Sequence, residues 1–387
     1  MRENRKGVAM YEMSEDQTAL VEAVADFCTG ELDPILEADD ESETFRIEMM
    51  KAMGEQGLCG VPTPEEYGGL GLGYLEYAMV LEEIAKHSVS YAVGIAVTGL
   101  PQIILRQFGD EAQRTTWLEA LATGEKLGAF ALSESTSGSD AASLRCTAVR
   151  DGDNYTLNGS KLWITHGGLA DIYIVMARTG GPGPKGVSAF IVRGDTPGVR
   201  AGKKERKMGL RVSTTAELLL EDVVVPVSDR IGPEGIGFNV AMAALNSGRI
   251  TIAAIAVGCA TAATEAATTY AKEREQFGKA IIDFQGVGFM LADMATQTEA
   301  ARLMTHRAAS MRDSGAEYAK EAAMAKLFAT DAAMAVTTDA VQVLGGNGYT
   351  RECPVERYMR DAKVLQIVEG TNQIQRLVIS RHLKKGQ

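Results

Sequence analysis

The sequence predicts an α+β protein, mainly α, in the order helix, sheet, helix. In residues 1–126 apolar residues recur three or four apart, while residues 127–235 break into short β-rich runs between turn dipeptides. In residues 236–387 long Ala-, Met- and Leu-rich segments each cover many helical turns. With 387 residues, 45% hydrophobic and 23% charged, the chain has the composition of an ordinary globular protein, which excludes disordered, collagen-like and disulfide-knotted classes. A net charge of -12 and a pI near 5.0 repel phosphate backbones, so nucleic acid is not an expected partner.

In the first helical region Leu20, Val21, Val24 and Phe27 mark one apolar face, and Met79, Leu81, Ile84 and Ala85 mark another before His87. Between them PTPEEYGGLGLG, residues 62–73, reads as a loop. The stretch from His87 to Leu105 carries no formal charge, but Ser88, Ser90, Gly94, Thr98, Gly99, Pro101 and Gln102 interrupt it. That suits a buried helix and loop better than a membrane span, and no membrane association is expected. NYTLNGSKLWIT, DIYIVMAR, GVSAFIVRG and AELLLEDVVVP, with Asp-Gly, Asn-Gly and Gly-Pro turns between them, predict an antiparallel β domain. AMAALNSGRITIAAIAVGCATAATEAATTYAKERE and FQGVGFMLADMATQTEAARLMTHRAASMR predict long antiparallel bundle helices. A cleft between such unlike layers is a natural seat for a cofactor.

The five cysteines are scattered, odd in number and without a C-x-x-C pair, and the four histidines show no metal-ligand spacing. A reducing cytoplasm and no bound metal are the expectations. The opening MRENRKGVAM runs into polar, acidic YEMSEDQ, which is not a signal-peptide pattern.

Several segments can carry chemistry. FALSESTSGSD, residues 130–140, offers hydroxyls and backbone amides for an anion, or is a polar connection with capping residues. In KLWITHGG, residues 161–168, Trp163 is a core indole or a flat face for a ring, and Thr165, two residues on in an alternating strand, points to the same side. In REQFGKAIIDFQ, residues 274–285, Arg274 ends a long helix and grips a phosphate or caps carbonyls, while Gln276 and Phe277 enter a Gly278 turn. QVLGGNGY, residues 342–349, ends a helix in glycines that allow close backbone approach to a ligand, yet matches neither a Rossmann nor a P-loop pattern. Arg249 stands in an otherwise apolar helix and needs an acidic residue or a polar ligand as partner. Glu369 follows the apolar run of VLQIVEGTNQIQRL with no neighbouring cation, so it either opens a surface turn or is a desolvated carboxylate suited to proton abstraction near neutral pH.

Together FALSE…GSD, KLWIT, R.QFGK…FQ, QVLGGNGY and VEGTNQIQRL, in this order and spacing, resemble the acyl-CoA dehydrogenase family over nearly the whole chain. GKKERKMGLRVSTTAELLLEDVVVP and KEAAMAKLFATDAAMAV resemble its short-chain, butyryl-type branch. The resemblance implies an N-terminal helical domain (1–126), a central antiparallel β domain (127–235) and a C-terminal four-helix bundle (236–387). It implies FAD as cofactor, an acyl-CoA substrate, an electron-transferring flavoprotein as electron acceptor, a role in fatty acid β-oxidation, and a homotetramer built as a dimer of dimers. By the same resemblance Phe130, Leu132, Ser133, Trp163, Ile164 and Thr165 hold the flavin, and Ser139 serves the pyrophosphate or the CoA ligand. Arg274, Gln276, Phe277, Gln285, Gln342, Val343, Gly345 and Gly346 bind the FAD of a neighbouring subunit, and Thr371 and Gln373 complete that pocket. Asn246, Arg249 and Gly370 line the substrate site, and Glu369 is the catalytic base. Gly248 removes the alternative base position of the isovaleryl-type branch.

The sequence departs from the family pattern at SESTSGSD, which lacks the usual Pro, at His166 in place of Asn, and at Val368 in place of Tyr. His166 alters hydrogen bonding near the flavin, and the smaller Val368 admits branched or cyclic acyl groups beside butyryl chains. Alternative activities on the same fold are an acyl-CoA oxidase and a non-redox flavin-binding protein.

Overall fold

The structure, a computed structural model, describes residues 13–386; MRENRKGVAM lies outside them. Ser14 opens α1 (Glu15–Phe27) with a capping box, its hydroxyl accepting from the Gln17 N–H. A π turn over Cys28–Leu32 leads into α2 (Asp33–Ser42), followed by α3 (Ile47–Glu55), α4 (Tyr74–His87), α5 (Val89–Phe108) and α6 (Glu111–Ala122). The uncharged stretch is α5, buried along nearly its whole length.

The sheet contains β1 (Gly128–Ala131), β2 (Thr147–Asp151), β3 (Asn154–Thr165), β4 (Ile172–Arg178), β5 (Val187–Arg193), β6 (Val199–Lys204), β7 (Thr215–Pro226) and β8 (Arg230–Ile231). Its order is β6-β7-β3-β2-β4-β5-β8, with β1 on β4. The sheet is mainly antiparallel, as expected, with one exception at its centre: β1 runs parallel to β4 from Gly128↔Ile172 to Ala131↔Val175 and β2 meets β4 in parallel at Thr147↔Arg178. The cause is the long excursion between β1 and β4, which contains the β2–β3 hairpin and returns the chain in its original direction.

The bundle begins with α7 (Gly237–Glu273) and a small hairpin of β9 (Glu275–Gln276) and β10 (Lys279–Ala280). It continues through α8 (Gln285–Asp313), α9 (Ala319–Leu344), α10 (Gly346–Tyr349), α11 (Val355–Leu365) and α12 (Asn372–Lys384). Helix α9 packs on α7, α8, α11 and α12, while α4 lies against α7 and α8. The helical regions therefore share one core.

Period-2 alternation in β4 divides the interior. Ile172, Ile174 and Met176 join the helical core, whereas Tyr173, Val175 and Ala177 join a second core on the far face of the sheet. By length and composition α5 and α7 could each cross a membrane, but 89% and 78% of their apolar windows lie buried inside the fold. Two contacts fix α11, which precedes Glu369. The Leu210 N–H donates to Asp361 Oδ1 at 2.6 Å, and Arg360 pairs with Asp40 of α2 at 2.9 Å.

Candidate active site

Glu369 sits in the short turn between α11 and α12, with a left-handed backbone (φ 54°). A residue with a Cβ is strained there, and such strain concentrates at functional positions. The turn is held from below: Gln375 Nε2 donates to the carbonyls of Glu369 (3.1 Å) and Gly370 (2.7 Å), and Lys326 Nζ donates to the Gly370 carbonyl (3.0 Å). Thr371 caps α12, its hydroxyl accepting from the Ile374 N–H. Gln373 is exposed on the first turn of α12.

These contacts aim the carboxylate at Gly248 in the middle of α7. A Cβ at residue 248 would lie 2.5 Å from Glu369 Oε2, so any larger residue would push the carboxylate out of this position. Oε2 is shielded from solvent and has no hydrogen-bond partner, and the Glu369 N–H has no acceptor among the described residues. Burial raises the carboxyl from its ordinary 4.5 to about 7, against the opposing pull of Arg249 and then Lys326. The adjacent sequence offers no cation, but the fold brings in two from distant helices.

Arg249, one residue beyond Gly248, is only 4% exposed. Its Nη1 donates to Asn246 Oδ1 at 2.6 Å, and its Nε has no partner among the described residues. Burial lowers its affinity for the proton, while Glu369 raises it. Gly248, Glu369 and Gly370 thus meet Asn246 and Arg249 in one polar cluster, which contains an unpaired acceptor and an unpaired donor among the described residues.

A second group assembles at the sheet. The Leu162 N–H donates to the Ser133 carbonyl at 2.9 Å, and Lys161 Nζ donates to the Leu132 carbonyl at 3.1 Å, so the two flavin-type segments lie side by side. Beneath them Lys161 and Glu134 form a buried ion pair at 2.7 Å. Glu134 also accepts from the N–H groups of Arg145 and Cys146, closing the loop that carries Ser139. Ser139 itself is exposed and Phe130 is half-buried.

Trp163 departs from the simple alternation expected of its strand. Pairing with β7 jumps from Lys161↔Leu218 to Ile164↔Ala216, a β-bulge that places Trp163 at φ 63°. The indole is 63% exposed, Ile164 is buried and Thr165 is half-buried, so Trp163 and Thr165 flank the buried side chain. An open indole beside exposed backbone suits a planar ring, as FAD requires. His166 follows at φ 62°, buried against Gly94 and the edge of Phe45. Burial pulls its imidazole down to about 4, so it is neutral at physiological pH.

The third group lies at the far end of α7. Phe277 and Gly278, at φ 52° and 80°, form the two-residue turn of the β9–β10 hairpin. Arg274, Gln276, Gln285, Gln342, Gly345 and Gly346 are all exposed here, Phe277 is 95% exposed, and Val343 is buried beneath. Asn347 Nδ2 donates to Tyr270 Oη at 2.8 Å, joining the glycine-rich end of α9 to the end of α7. Arg249 and Arg274 are 25 positions apart along α7, about 37 Å at 1.5 Å per residue. Within one chain, the third group is remote from the pocket of Glu369.

Sequence reasoning missed Lys326 and the Glu134–Lys161 pair. Lys326 had a signal, since it falls on the stripe Ala322, Ala329 and Ala333 at spacings of four, three and seven, all buried. The Glu134–Lys161 pair had none, because its members lie in different segments.

Family models for the acyl-CoA dehydrogenase N-terminal, middle and C-terminal domains match residues 14–125, 129–223 and 235–384. A short-chain specific acyl-CoA dehydrogenase of Clostridium acetobutylicum is 44% identical over 96% of this chain and 98% of its own. Butyryl-CoA dehydrogenase of Megasphaera elsdenii superposes with a TM-score of 0.95 at 43% identity, covering 96% of this chain and 99% of its own. A chain solved in work on the electron transferring flavoprotein of Acidaminococcus fermentans and flavin-based electron bifurcation gives 0.95 at 46% identity, covering 96% and 99%. The chain belongs to the acyl-CoA dehydrogenase family. It is an FAD-dependent oxidoreductase acting on acyl-CoA.

Proposed function

We propose that the protein converts a short-chain or branched acyl-CoA to its trans-2-enoyl-CoA, with Glu369 removing the α-proton. The observation that carries this reading is the unpaired, desolvated Oε2 of Glu369, held on a strained turn against Gly248. A carboxyl at about 7 is divided between its two forms near neutral pH, which favours a general base working there. The free Glu369 N–H is a donor for the thioester carbonyl as enolate charge develops. Arg249 and Lys326 add positive charge around the same pocket.

FAD, when bound, supplies the acceptor for the hydride leaving the β-carbon. Leu132, Ser133, Trp163, Ile164 and Thr165 would hold its ring system, with Trp163 as the flat contact, and Ser139 would serve its pyrophosphate or the CoA. Half-buried Val368, beside Glu369, leaves more room than a ring would and suits a branched acyl group.

The remaining cofactor-type residues, Arg274, Gln276, Phe277, Gln285, Gln342, Val343, Gly345 and Gly346, would serve the FAD of a neighbouring subunit. The separation of about 37 Å along α7 and the exposed Phe277 support that division of labour between the subunits of an oligomer. The electrons would pass to an electron-transferring flavoprotein, in keeping with the relatives above. The test is the anaerobic half-reaction of Glu369→Gln: FAD and acyl-CoA are expected to bind while bleaching of the flavin slows by about 10²–10⁴-fold. Bleaching at the normal rate would refute the assignment of the base.

A further inference from the structure

Lys326 is fully buried in α9 and has no carboxylate within salt-bridge distance among the described residues. The other fully buried lysine among the described residues, Lys161, is neutralised by Glu134. Instead the Lys326 ammonium donates to two neutral acceptors, the Gly370 carbonyl at 3.0 Å and Asn372 Oδ1 at 2.9 Å. Asn372 is held in turn by Thr330 and Asp331, its Nδ2 lying 2.9 and 2.7 Å from them. A buried charge without a counter-ion is costly, and a neutral donor would brace a carbonyl as well. The carboxylate that acts most strongly on this ammonium is Glu369, one residue before the carbonyl that Lys326 holds.

We propose that Lys326 is a positioning residue for proton abstraction. Its ammonium ion fixes the Glu369–Gly370 turn and supplies the positive charge that favours the carboxylate form of Glu369. The inference rests on Glu369 being the base.

The charges around this turn come from every helix packed on it. Arg249 of α7 and Lys326 of α9 act on Glu369 directly, and Tyr318 faces Arg249. Asp331 of α9 is engaged by Gln366, Asn372 and Arg376 of α12, and Lys363 of α11 is exposed and donates to Gln366. Lys326 is therefore the cation that contacts the turn's own backbone. Burial draws its ammonium down to about 7, and Glu369 opposes that, so each member of the pair favours the other's charged form.

The test uses the FAD-loaded protein with Lys326→Met and with Lys326→Gln, which removes the charge but keeps an N–H donor. Rates of flavin bleaching by butyryl-CoA would be followed from pH 6 to 9.5, alongside flavin content and thermal unfolding. Both variants should move the midpoint of the pH–rate profile upward by about one unit. At pH 6.5 they should be about tenfold slower than wild type, and at pH 9 within a few-fold of it. A uniform slowing at every pH, with the midpoint unmoved, would make Lys326 a structural brace only and overturn the proposal. Failure of both variants to fold and retain flavin would also overturn it, since the lysine would then serve the fold. Glu369→Gln run in parallel separates the two readings. If it bleaches normally, the base assignment fails and the proposal with it; if it loses bleaching while the Lys326 profiles stay unshifted, the proposal alone fails.

Discussion

Replacing Glu369 by Gln should stabilise the protein above neutral pH and leave it almost unchanged in acid. The carboxyl sits at about 7 in the folded chain against an ordinary 4.5, because burial penalises its ionised form. Its folded value is raised, so its contribution to stability is full below pH 4.5 and is lost as pH rises through 7. At about 1.4 kcal/mol for each pH unit between those values, the ionised carboxylate costs about 3.5 kcal/mol. An entropy of unfolding of about 2.1 cal/mol/K per residue gives about 0.8 kcal/mol/K for a chain of this length, so the gain is about 4 °C in Tm. The assay is thermal unfolding of both proteins from pH 4.5 to 8.5 at matched FAD loading. The difference in Tm should open between pH 5 and 8 in favour of the Gln variant. A constant difference, or a less stable Gln variant at pH 8.5, would show that Glu369 is not desolvated, and the argument for its basicity would fall.

Other perturbations probe the rest of the site. Gly248→Ala places a Cβ 2.5 Å from Glu369 Oε2, so flavin reduction should slow by about 10²-fold with FAD content unchanged, as rapid mixing would show. Lys161→Met leaves the Glu134 carboxylate buried and unpaired, and should cost about 3–5 kcal/mol together with flavin retention, measured by thermal unfolding and the 450 nm absorbance of the purified protein. Phe277→Asp changes a residue that is 95% exposed, so it should leave the fold of the single chain intact while lowering the oligomer mass by light scattering and releasing FAD.

The parts of the molecule legible in the sequence are those written in local pattern. Apolar spacing gave the helical flanks, the uncharged run from His87 to Leu105 gave α5 as a buried element, and Gly278 gave the tight turn that it forms with Phe277. The position of Glu369 after an apolar run left a surface turn and a desolvated carboxylate both open. What remained hidden depends on chain segments meeting across long separations. The closeness of Glu369 to Gly248 and Arg249 needs the turn before α12 to fall on the middle of α7, which no local pattern encodes. The Trp163 bulge arises because β3 carries one residue more than β7 across that stretch, a mismatch invisible in β3 alone. The parallel pairing of β1 with β4 follows from the hairpin inserted between them rather than from either strand's composition.

The most direct test of the account is an anaerobic titration of the purified flavoprotein with butyryl-, isobutyryl-, hexanoyl- and cyclohexanoyl-CoA, with the flavin spectrum recorded at each addition. Wild type should bleach with butyryl- or isobutyryl-CoA and form the corresponding 2-enoyl-CoA, while Glu369→Gln should bind the same ligand without bleaching. A wild-type spectrum unchanged by all four thioesters, or equal bleaching in the Glu369→Gln variant, would contradict the account.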